Sequence, residues 1–330
     1  MSTMRPEENR TRSGPSPTRR DFLGQVAGAA AGLATIEAAT SRKAAAGNTA
    51  GSADERLLPT IQLGSYRITR LILGGNPIYG HSHFNRLYSQ HLIDYHTPER
   101  VVELLGACAA NGLNAWQNSY TERTAEDVRK CREAGLDFHW LLLGKTNWLD
   151  EPGMVARAAQ LGPIGIAPHG ALAERLHREG RIETLKDQLK QARDAGVLVG
   201  LSAHNPAVIE LAEEQDWDVD YYMCCCYYLT RPRDEFAAIL GQVPMGEVYL
   251  ENDRERMLDV VAAARKPCLV YKVFAAGRAD LSPRGVRGRF QETLARIKPT
   301  DAMIVGMFQE FGDQVGQNAA FVRELSAPGA

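Results

Sequence analysis

Two ionisable residues, Lys145 and His169, each stand just beyond a short apolar run of the sequence. Residues 140–143 read Trp-Leu-Leu-Leu, residues 164–167 read Ile-Gly-Ile-Ala, and a helix is expected between them over residues 152–160. This spacing predicts a right-handed unit of two parallel strands joined by a helix. Parallel strands end at the same edge of a sheet, where α/β folds place their ligands. We therefore predict that Lys145 and His169 lie close together in a catalytic site.

The rest of the chain continues this alternation of strand and helix patterns. Eight strands are expected, in residues 71–75, 114–117, 138–144, 164–168, 197–202, 219–227, 268–274 and 303–306. Eight such strands alternating with helices are typical of a TIM barrel, (β/α)8, and are rare in doubly wound sheets. The sequence thus predicts an α/β protein with a single TIM-barrel domain over residues 51–330.

Composition narrows the class of protein further. The 330 residues are 44% hydrophobic and 24% charged, which is enough for a large buried core. The net charge is -2 and no long basic run follows the leader, so we expect no nucleic-acid partner. The six cysteines form no spaced Cys-x-x-Cys pairs and predict no disulfide framework. Three of them, at 224–226, fit a buried strand as small apolar residues, with a thiolate metal ligand in the barrel as the alternative.

The first fifty residues differ in composition from the rest and are interpreted as a leader and linker. Residues 18–23 read Thr-Arg-Arg-Asp-Phe-Leu and precede an Ala/Gly-rich run over residues 24–34. This arrangement resembles a twin-arginine signal peptide, and the apolar run is too short to span a bilayer. The resemblance implies the twin-arginine export machinery as a partner and a periplasmic or extracellular protein that is not membrane-embedded once mature. A disordered basic tail is the alternative.

The ends of the predicted strands carry mostly polar residues. If the chain is a barrel, these residues meet at one mouth and form a site for a small-molecule substrate. The residues expected there are Asn76, Gln117, Lys145, His169, Ser202, His204, Cys224, Lys272 and Gly306. Polar residues also follow strands simply because loops begin there, which accounts for part of this set.

Several motifs resemble those of aldo/keto reductases. In family order they are Leu-Gly-Ser-Tyr-Arg-Ile-Thr-Arg-Leu-Ile-Leu-Gly-Gly at 63–75, Gly-Leu-Asn at 112–114, Gly-Lys-Thr at 144–146, Val-Gly-Leu-Ser at 199–202 and Val-Gly at 305–306. The resemblance covers nearly all of the chain after the leader. It implies an aldo/keto reductase-like barrel that reduces a carbonyl or sugar-like substrate with a nicotinamide cofactor.

The catalytic residues of that family are only partly present. Lys145 and His169 match the family's Lys and His, but the position of its Asp falls on Gln117 and that of its Tyr on Glu122. Tyr120 lies two residues short of the Tyr position. Gln cannot carry the charge that pairs with Lys, and a Tyr needs a nearby cation to lower its pKa from about 10. The resemblance therefore implies a divergent reductase with Lys145, His169, Tyr120 and Gln117 at its centre.

The resemblance also implies which residues bind the cofactor. Ser202 matches the residue that holds the nicotinamide amide, Tyr271 the stacking aromatic, and Gln314 with Asn318 the adenine contacts. Lys272 and the backbone at Gly306 are placed for phosphate. No basic residue in 307–310 matches the 2′-phosphate ligand, so NADP and NAD both stay open.

Two other classes compete with this interpretation. His81 and His83 follow the first barrel strand, and with His169 and His204 they could bind a divalent metal such as Zn²⁺ in a hydrolase, lyase or isomerase. Glu251 and Asp253 could add ligands but fit better as the acidic start of a helix. The third class is a catalytically inactive barrel that binds sugars through aromatic residues, namely Trp116, Tyr120, Trp148, Tyr227 and Tyr228.

Overall fold

Eight parallel strands close into a barrel in the computed structural model, which describes residues 56–151 and 153–326. Their residues are almost all buried and apolar or small, as expected for strands covered on both faces. Around the barrel they are β3 (Leu71–Gly74), β4 (Ala115–Ser119), β5 (His139–Leu143), β6 (Gly165–Ala167), β7 (Leu198–Ala203), β8 (Tyr221–Cys225), β9 (Cys268–Tyr271) and β10 (Ala302–Gly306). β10 pairs with β3 through Gly306 and Gly74 and closes the ring. The predicted TIM barrel is confirmed.

An antiparallel hairpin precedes the barrel and covers its amino-terminal end. It consists of β1 (Thr60–Leu63) and β2 (Tyr66–Thr69). The Tyr66 ring packs edge-on against His139, the first residue of β5, with 5.5 Å between ring centroids. Because the hairpin closes this end, the opposite end, where the strands finish, is the open mouth.

The helices lie in the connections between the strands. Those in the described ranges are α1 (Arg86–Tyr95), α2 (Pro98–Ala110), α3 (Thr124–Glu133), α4 (Met154–Ala159), α5 (Gly170–Arg178), α6 (Leu185–Asp194), α7 (Pro206–Glu214), α8 (Arg233–Leu240), α9 (Glu251–Ala263), α10 (Pro283–Arg296) and α11 (Gln314–Leu325). The sequence predicts Thr97 as an N-cap and Pro98 as the first residue of a helix, and α2 begins in this way.

Some helices differ from the prediction for identifiable reasons. The sequence pattern predicts one helix over residues 182–195, whereas the structure has a 3₁₀ turn, Ile182–Thr184, followed by α6. The pattern also predicts a helix over residues 254–264, whereas α9 begins at Glu251, so its acidic residues lie in the first turn. The sequence reading missed α1, α5, α8 and α10. Helix α1 buries only Leu92, and helix α8 buries only Phe236. These two helices therefore lack the apolar stripe by which a helix is recognised in a sequence.

The buried side chains divide into two layers. Side chains that point into the barrel form one cluster, to which the hairpin residues Ile61, Leu63 and Ile68 add. Side chains that point outward pack against the helices in a larger cluster. Alternate residues of β8 illustrate the division, since Met223 lies in the inner cluster and Cys224 in the outer one.

The predicted leader, with Arg19 and Arg20, lies outside the described residues. All described residues belong to one compact unit, Ala53–Ala330. Within them, no helix is both long and apolar enough to cross a membrane.

Candidate active site

A cavity of about 1420 Å³ opens at the carboxyl ends of the strands. It brings together nearly all of the residues that the sequence placed in a site. The predicted residues that line it are Asn76, Gln117, Tyr120, Lys145, His169, Tyr271, Lys272, Gly306, Gln314, Asn318, His81, His83 and His204. Ser202 is absent from the lining and is fully buried.

Lys145 and His169 stand at equivalent positions of neighbouring strands. In the register of β5 and β6, Leu143 pairs with Ala167, and each ionisable residue follows two positions later. The Gly144 N–H donates a 2.8 Å hydrogen bond to the Ala167 carbonyl, so the pairing extends almost to Lys145. The predicted adjacency is confirmed.

Lys145 interacts with an aromatic ring. Its Nζ lies 5.4 Å from the centroid of Tyr120, within the range of a cation–π contact. The Tyr120 ring packs edge-on against Trp148, with 5.6 Å between ring centroids. Glu122, which occupies the family's Tyr position, is exposed at the cavity edge. Lys145 thus contacts the face of Tyr120, and no ion pair of Lys145 occurs within the described ranges.

His169 has a defined hydrogen-bonding state. It is the N-cap of α5, and its Nδ1 accepts a 3.1 Å hydrogen bond from the Ala171 N–H. Burial, with smaller contributions from His204 and Lys272, lowers the pKa of His169 to about 4, so the ring is neutral at pH 7. A neutral imidazole that accepts at Nδ1 carries its proton on Nε2. His169 therefore offers Nε2–H as a hydrogen-bond donor.

The hydrogen-bonding roles of the two ring nitrogens are reversed in His204. The cause is Glu174, a residue that the sequence analysis did not identify. His204 Nδ1 lies 3.3 Å from the Glu174 carboxylate, which is completely buried. Glu174 also accepts hydrogen bonds from the backbone N–H groups of His204 and Asn205 and from the Thr230 hydroxyl. Burial alone raises the pKa of Glu174, but these hydrogen bonds outweigh it and hold the pKa below its usual value.

The ionised Glu174 fixes the tautomer of its partner. A carboxylate only accepts, so in the neutral ring of His204 the proton is on Nδ1 and Nε2 presents a lone pair. No residue in the described ranges bonds Nε2 of His204, and the ring lines the cavity. The two histidine rings are 6.3 Å apart between centroids, with a donor nitrogen on one and an acceptor nitrogen on the other.

Gln117 adds a polar group without a partner. It is 7% exposed, lines the cavity, and its Nε2 makes no hydrogen bond to any described residue. A buried amide that lacks a partner costs free energy, on the order of 1–3 kcal/mol, unless a ligand or water satisfies it. Gln117 thus places a buried, unsatisfied amide group in the cavity wall.

The residues predicted for a nicotinamide nucleotide fit only in part. Ser202 lies 3.3 Å from the Tyr271 hydroxyl and does not reach the cavity. Gln314 uses its Oε1 to accept from the Phe308 N–H at 2.9 Å.

The backbone N–H groups at the start of α11 could also bind a phosphate, but they already have protein acceptors. Gln309 accepts from the Val315 N–H, and the Asp313 carboxylate accepts from the Gly316 N–H. A phosphate there would compete with these bonds and meet the negative charge of Asp313. Lys272, Gly306 and Asn318 keep positions on the cavity wall.

The four histidines do not assemble into a metal site. His83 uses both nitrogens, with Nδ1 2.8 Å from Glu247 and Nε2 3.3 Å from the Asn76 amide nitrogen. Within residues 56–151 and 153–326, no group of three or more His, Cys, Asp or Glu residues could hold a metal ion. The residues present thus do not fit the zinc site considered from the sequence.

The sequence analysis placed Cys224 at the mouth of the barrel, but in the structure this residue lies away from the mouth. Because side chains alternate along β8, Cys224 points into the outer core, and all six cysteines are buried and free. A hydrogen bond with Cys268, followed by burial, raises the pKa of Cys224, and burial raises that of Cys225 to about 12. These thiols stay protonated and are poor metal ligands.

Of the five aromatic residues predicted to stack on sugars, Tyr120 lines the cavity, and the other four do not. Trp116, Trp148 and Tyr227 are buried in the outer core. The cavity edge instead carries two exposed rings, Phe84 and Tyr88.

The solved structures compared below are distant likenesses of this chain. No known protein family matches the chain, and no curated protein matches it. An aldo/keto reductase from Brucella melitensis is 10% identical, with 82% of this chain and 98% of that chain covered and a TM-score of 0.41. A glycerol dehydrogenase from Gluconobacter oxydans is 10% identical, with 81% and 90% covered and a TM-score of 0.45.

A truncated 3-deoxy-D-arabino-heptulosonate 7-phosphate synthase from Thermotoga maritima is similar to the same extent. It is 14% identical, with 82% of this chain and 91% of that chain covered and a TM-score of 0.47. Likeness at this level identifies neither a family nor an activity. The chain has the fold of TIM-barrel enzymes, and this assignment rests on the strand pairing of the chain itself.

Proposed function

We propose that this barrel is an enzyme that binds a carbonyl or sugar-like small molecule at its mouth and polarises the substrate oxygen through His169. The observation that carries the proposal is the Nε2–H of His169. The Ala171 N–H occupies Nδ1 and burial keeps the ring neutral, so the proton must lie on Nε2. A fixed donor of this kind stabilises the negative charge that develops on a carbonyl oxygen.

Other groups on the cavity wall support the same role. Gln117 adds an unsatisfied amide to the same wall, although its Nε2 atom is itself buried. Lys145 and Lys272 form no ion pair within the described ranges, and the ammonium group of each lies near an aromatic ring. Three cations, Arg123, Lys145 and Lys272, line the cavity against one carboxylate, Glu122, which favours a substrate with electronegative oxygens.

Nicotinamide-dependent reduction is a second candidate. Its support is the size of the cavity, since about 1420 Å³ exceeds the roughly 300–1,000 Å³ of most ligand sites and leaves room for a nucleotide beside a substrate. Lys272, Gly306 and Asn318 would hold the nucleotide, which would supply hydride for the carbonyl carbon. The internal hydrogen bonds of Ser202 and Gln314 weigh against this candidate.

Ligand binding by two variants at one position tests the proposal. Calorimetry would measure the affinity of dihydroxyacetone, D-glucose and D-fructose for the wild type, His169→Ala and His169→Asn. Both variants should bind about tenfold more weakly, since each loses the Nε2–H donor. Asn keeps an acceptor for the Ala171 N–H and Ala does not, so only the Ala variant should lose the cap of α5. Binding by neither the wild type nor the variants would refute the proposal.

A further inference from the structure

We propose that Glu174 and His204 form a proton-transfer pair, and that the enzyme removes a proton from the carbon next to the substrate carbonyl. This inference rests on the proposed function, because His169 must hold the carbonyl oxygen while His204 acts on the neighbouring carbon. It adds an activity, enolisation, that needs no nucleotide.

The surroundings of Glu174 support a persistent negative charge. A buried carboxylate is stable only when hydrogen bonds satisfy its oxygens. Two backbone N–H groups donate to one oxygen of Glu174, and the Thr230 hydroxyl and His204 Nδ1 donate to the other. The carboxylate is thus fixed in place beside the imidazole.

A carboxylate in this position serves a histidine base in two ways. It keeps the proton on Nδ1, so that Nε2 is free to accept, and it stabilises the imidazolium that forms after acceptance. Nε2 of His204 has no protein partner within the described ranges, and its ring forms part of the cavity wall. Geometry and charge thus both make His204 Nε2 the base of the site.

The neighbouring histidine completes the requirements for enolisation. The rings of His169 and His204 are 6.3 Å apart between centroids, so one carbonyl compound can reach both. The C–H bond next to the carbonyl breaks, and its proton goes to Nε2 of His204. The electron pair forms a C=C bond while the carbonyl π electrons move to oxygen, where His169 Nε2–H stabilises the charge. Return of the proton to carbon restores a carbonyl compound, so no oxidant or reductant is consumed.

Hydrogen exchange with solvent tests this inference. The full chain would be incubated without nucleotide in D₂O with dihydroxyacetone, D-glucose or D-fructose, and ¹H NMR would follow the loss of the C–H signal beside the carbonyl. We expect exchange by the wild type. His204→Asn keeps an amide N–H for Glu174 but has no base, so its exchange should fall by about 10²- to 10⁴-fold.

Glu174→Gln separates positioning from a structural role. If Glu174 supports the base, the pH at which exchange is half-maximal moves to lower pH in Glu174→Gln, because the imidazolium loses its counter-charge. An unchanged pH profile with only a lower melting temperature would show that Glu174 merely holds the loop, and would overturn its assigned role.

Calorimetry on the same compounds distinguishes this inference from the proposed function. Binding by the wild type without deuterium incorporation would overturn enolisation and leave the binding function intact. Exchange by His204→Asn at the wild-type rate would also overturn it. Absence of binding altogether would remove the proposed function and this inference with it.

Discussion

Nδ1 of His204 lies 3.3 Å from the Glu174 carboxylate, although the two residues are 30 positions apart in the chain. Glu174 belongs to the helix that follows β6, and His204 follows β7, so adjacent units of the barrel bring them together. Glu174 also joins the backbone of His204 and Asn205 to the Thr230 side chain. One buried carboxylate thus connects the helix that follows β6 with the loops that follow β7 and β8.

The first prediction concerns the stability that this carboxylate provides. Glu174→Gln replaces one acceptor oxygen by an NH₂ group, which leaves at least one buried donor without a partner. We expect the free energy of unfolding, measured by urea denaturation, to fall by about 1–3 kcal/mol. Glu179→Gln, at the exposed end of the same helix, is the control and should change it by less than about 0.5 kcal/mol. Equal effects of the two substitutions would contradict the importance of the buried network.

The second prediction is a loss of stability in acid that depends on His169. The folded protein keeps His169 neutral down to about pH 4, whereas the unfolded chain binds a proton below about pH 6.5. Between these values the unfolded state holds more protons, so the free energy of unfolding decreases as the pH falls. The contribution of His169 is fully present above pH 6.5, and at most about 3 kcal/mol is lost by pH 4.

Urea titrations at several pH values check this dependence. His169→Asn keeps the helix cap and removes the titrating ring, so its stability should fall less than that of the wild type between pH 6.5 and pH 4. His81, His83, His96 and His139 also have lowered pKa values from burial, and they leave a residual slope in both proteins. Parallel slopes for variant and wild type would show that His169 is not held neutral.

The sequence was sufficient for the barrel and for the adjacency of Lys145 and His169. Both follow from the period of the apolar runs and from the rule that parallel strands end at one edge. Glu174 was not predictable in the same way, because its helix starts directly after His169 and was not recognised. The clue was the spacing of Leu172, Ala173 and Leu176, which form the buried face of this helix.

Hydrogen-bond partners also escaped the sequence reading. Ser202 lies on a predicted strand at the expected position, yet its hydroxyl pairs with Tyr271 below the cavity. Gln314 reaches the cavity but supports the backbone at Phe308. A sequence pattern can place a residue near the mouth of the barrel. Which of its polar atoms are free to bind a ligand depends on neighbours that are distant in sequence.

The third prediction addresses nucleotide binding. Calorimetry with NADP and NAD should show binding if the redox candidate is correct, and Asn318→Ala should then weaken it by about 1–2 kcal/mol, or roughly 5- to 30-fold. Gln314→Ala should lower binding by a similar amount and also lower stability, because the Phe308 N–H loses its acceptor. Absence of heat with either nucleotide would leave proton transfer as the chemistry of the cavity.

The fourth prediction concerns export, which we propose from the leader sequence alone. Replacing Arg19 and Arg20 together by Lys should trap the precursor in the cytoplasm, because a twin-arginine signal is read through both guanidinium groups. Fractionation of cells followed by immunoblotting measures the distribution. Lys keeps the positive charge of a merely basic tail, so normal export of the double variant would reject the twin-arginine interpretation.

The final prediction concerns the contact between Lys145 and Tyr120. Nζ of Lys145 lies 5.4 Å from the ring centroid, so the ring face holds the ammonium group. Tyr120→Phe keeps that face and should cost far less activity than the roughly 10²- to 10⁴-fold typical of losing a proton donor. Lys145→Met and His169→Ala should each remove most activity, because they delete the charge and the donor that act on the substrate oxygen.

Tyr120→Leu is the matched variant, since it removes the ring and frees Lys145. We expect its activity to lie between those of Tyr120→Phe and Lys145→Met, with turnover of the carbonyl substrate as the measurement. If Tyr120→Phe were as inactive as Lys145→Met, the hydroxyl itself would be the proton donor. A reductase mechanism would then operate through a tyrosine two positions earlier than in the aldo/keto reductases that the sequence resembles.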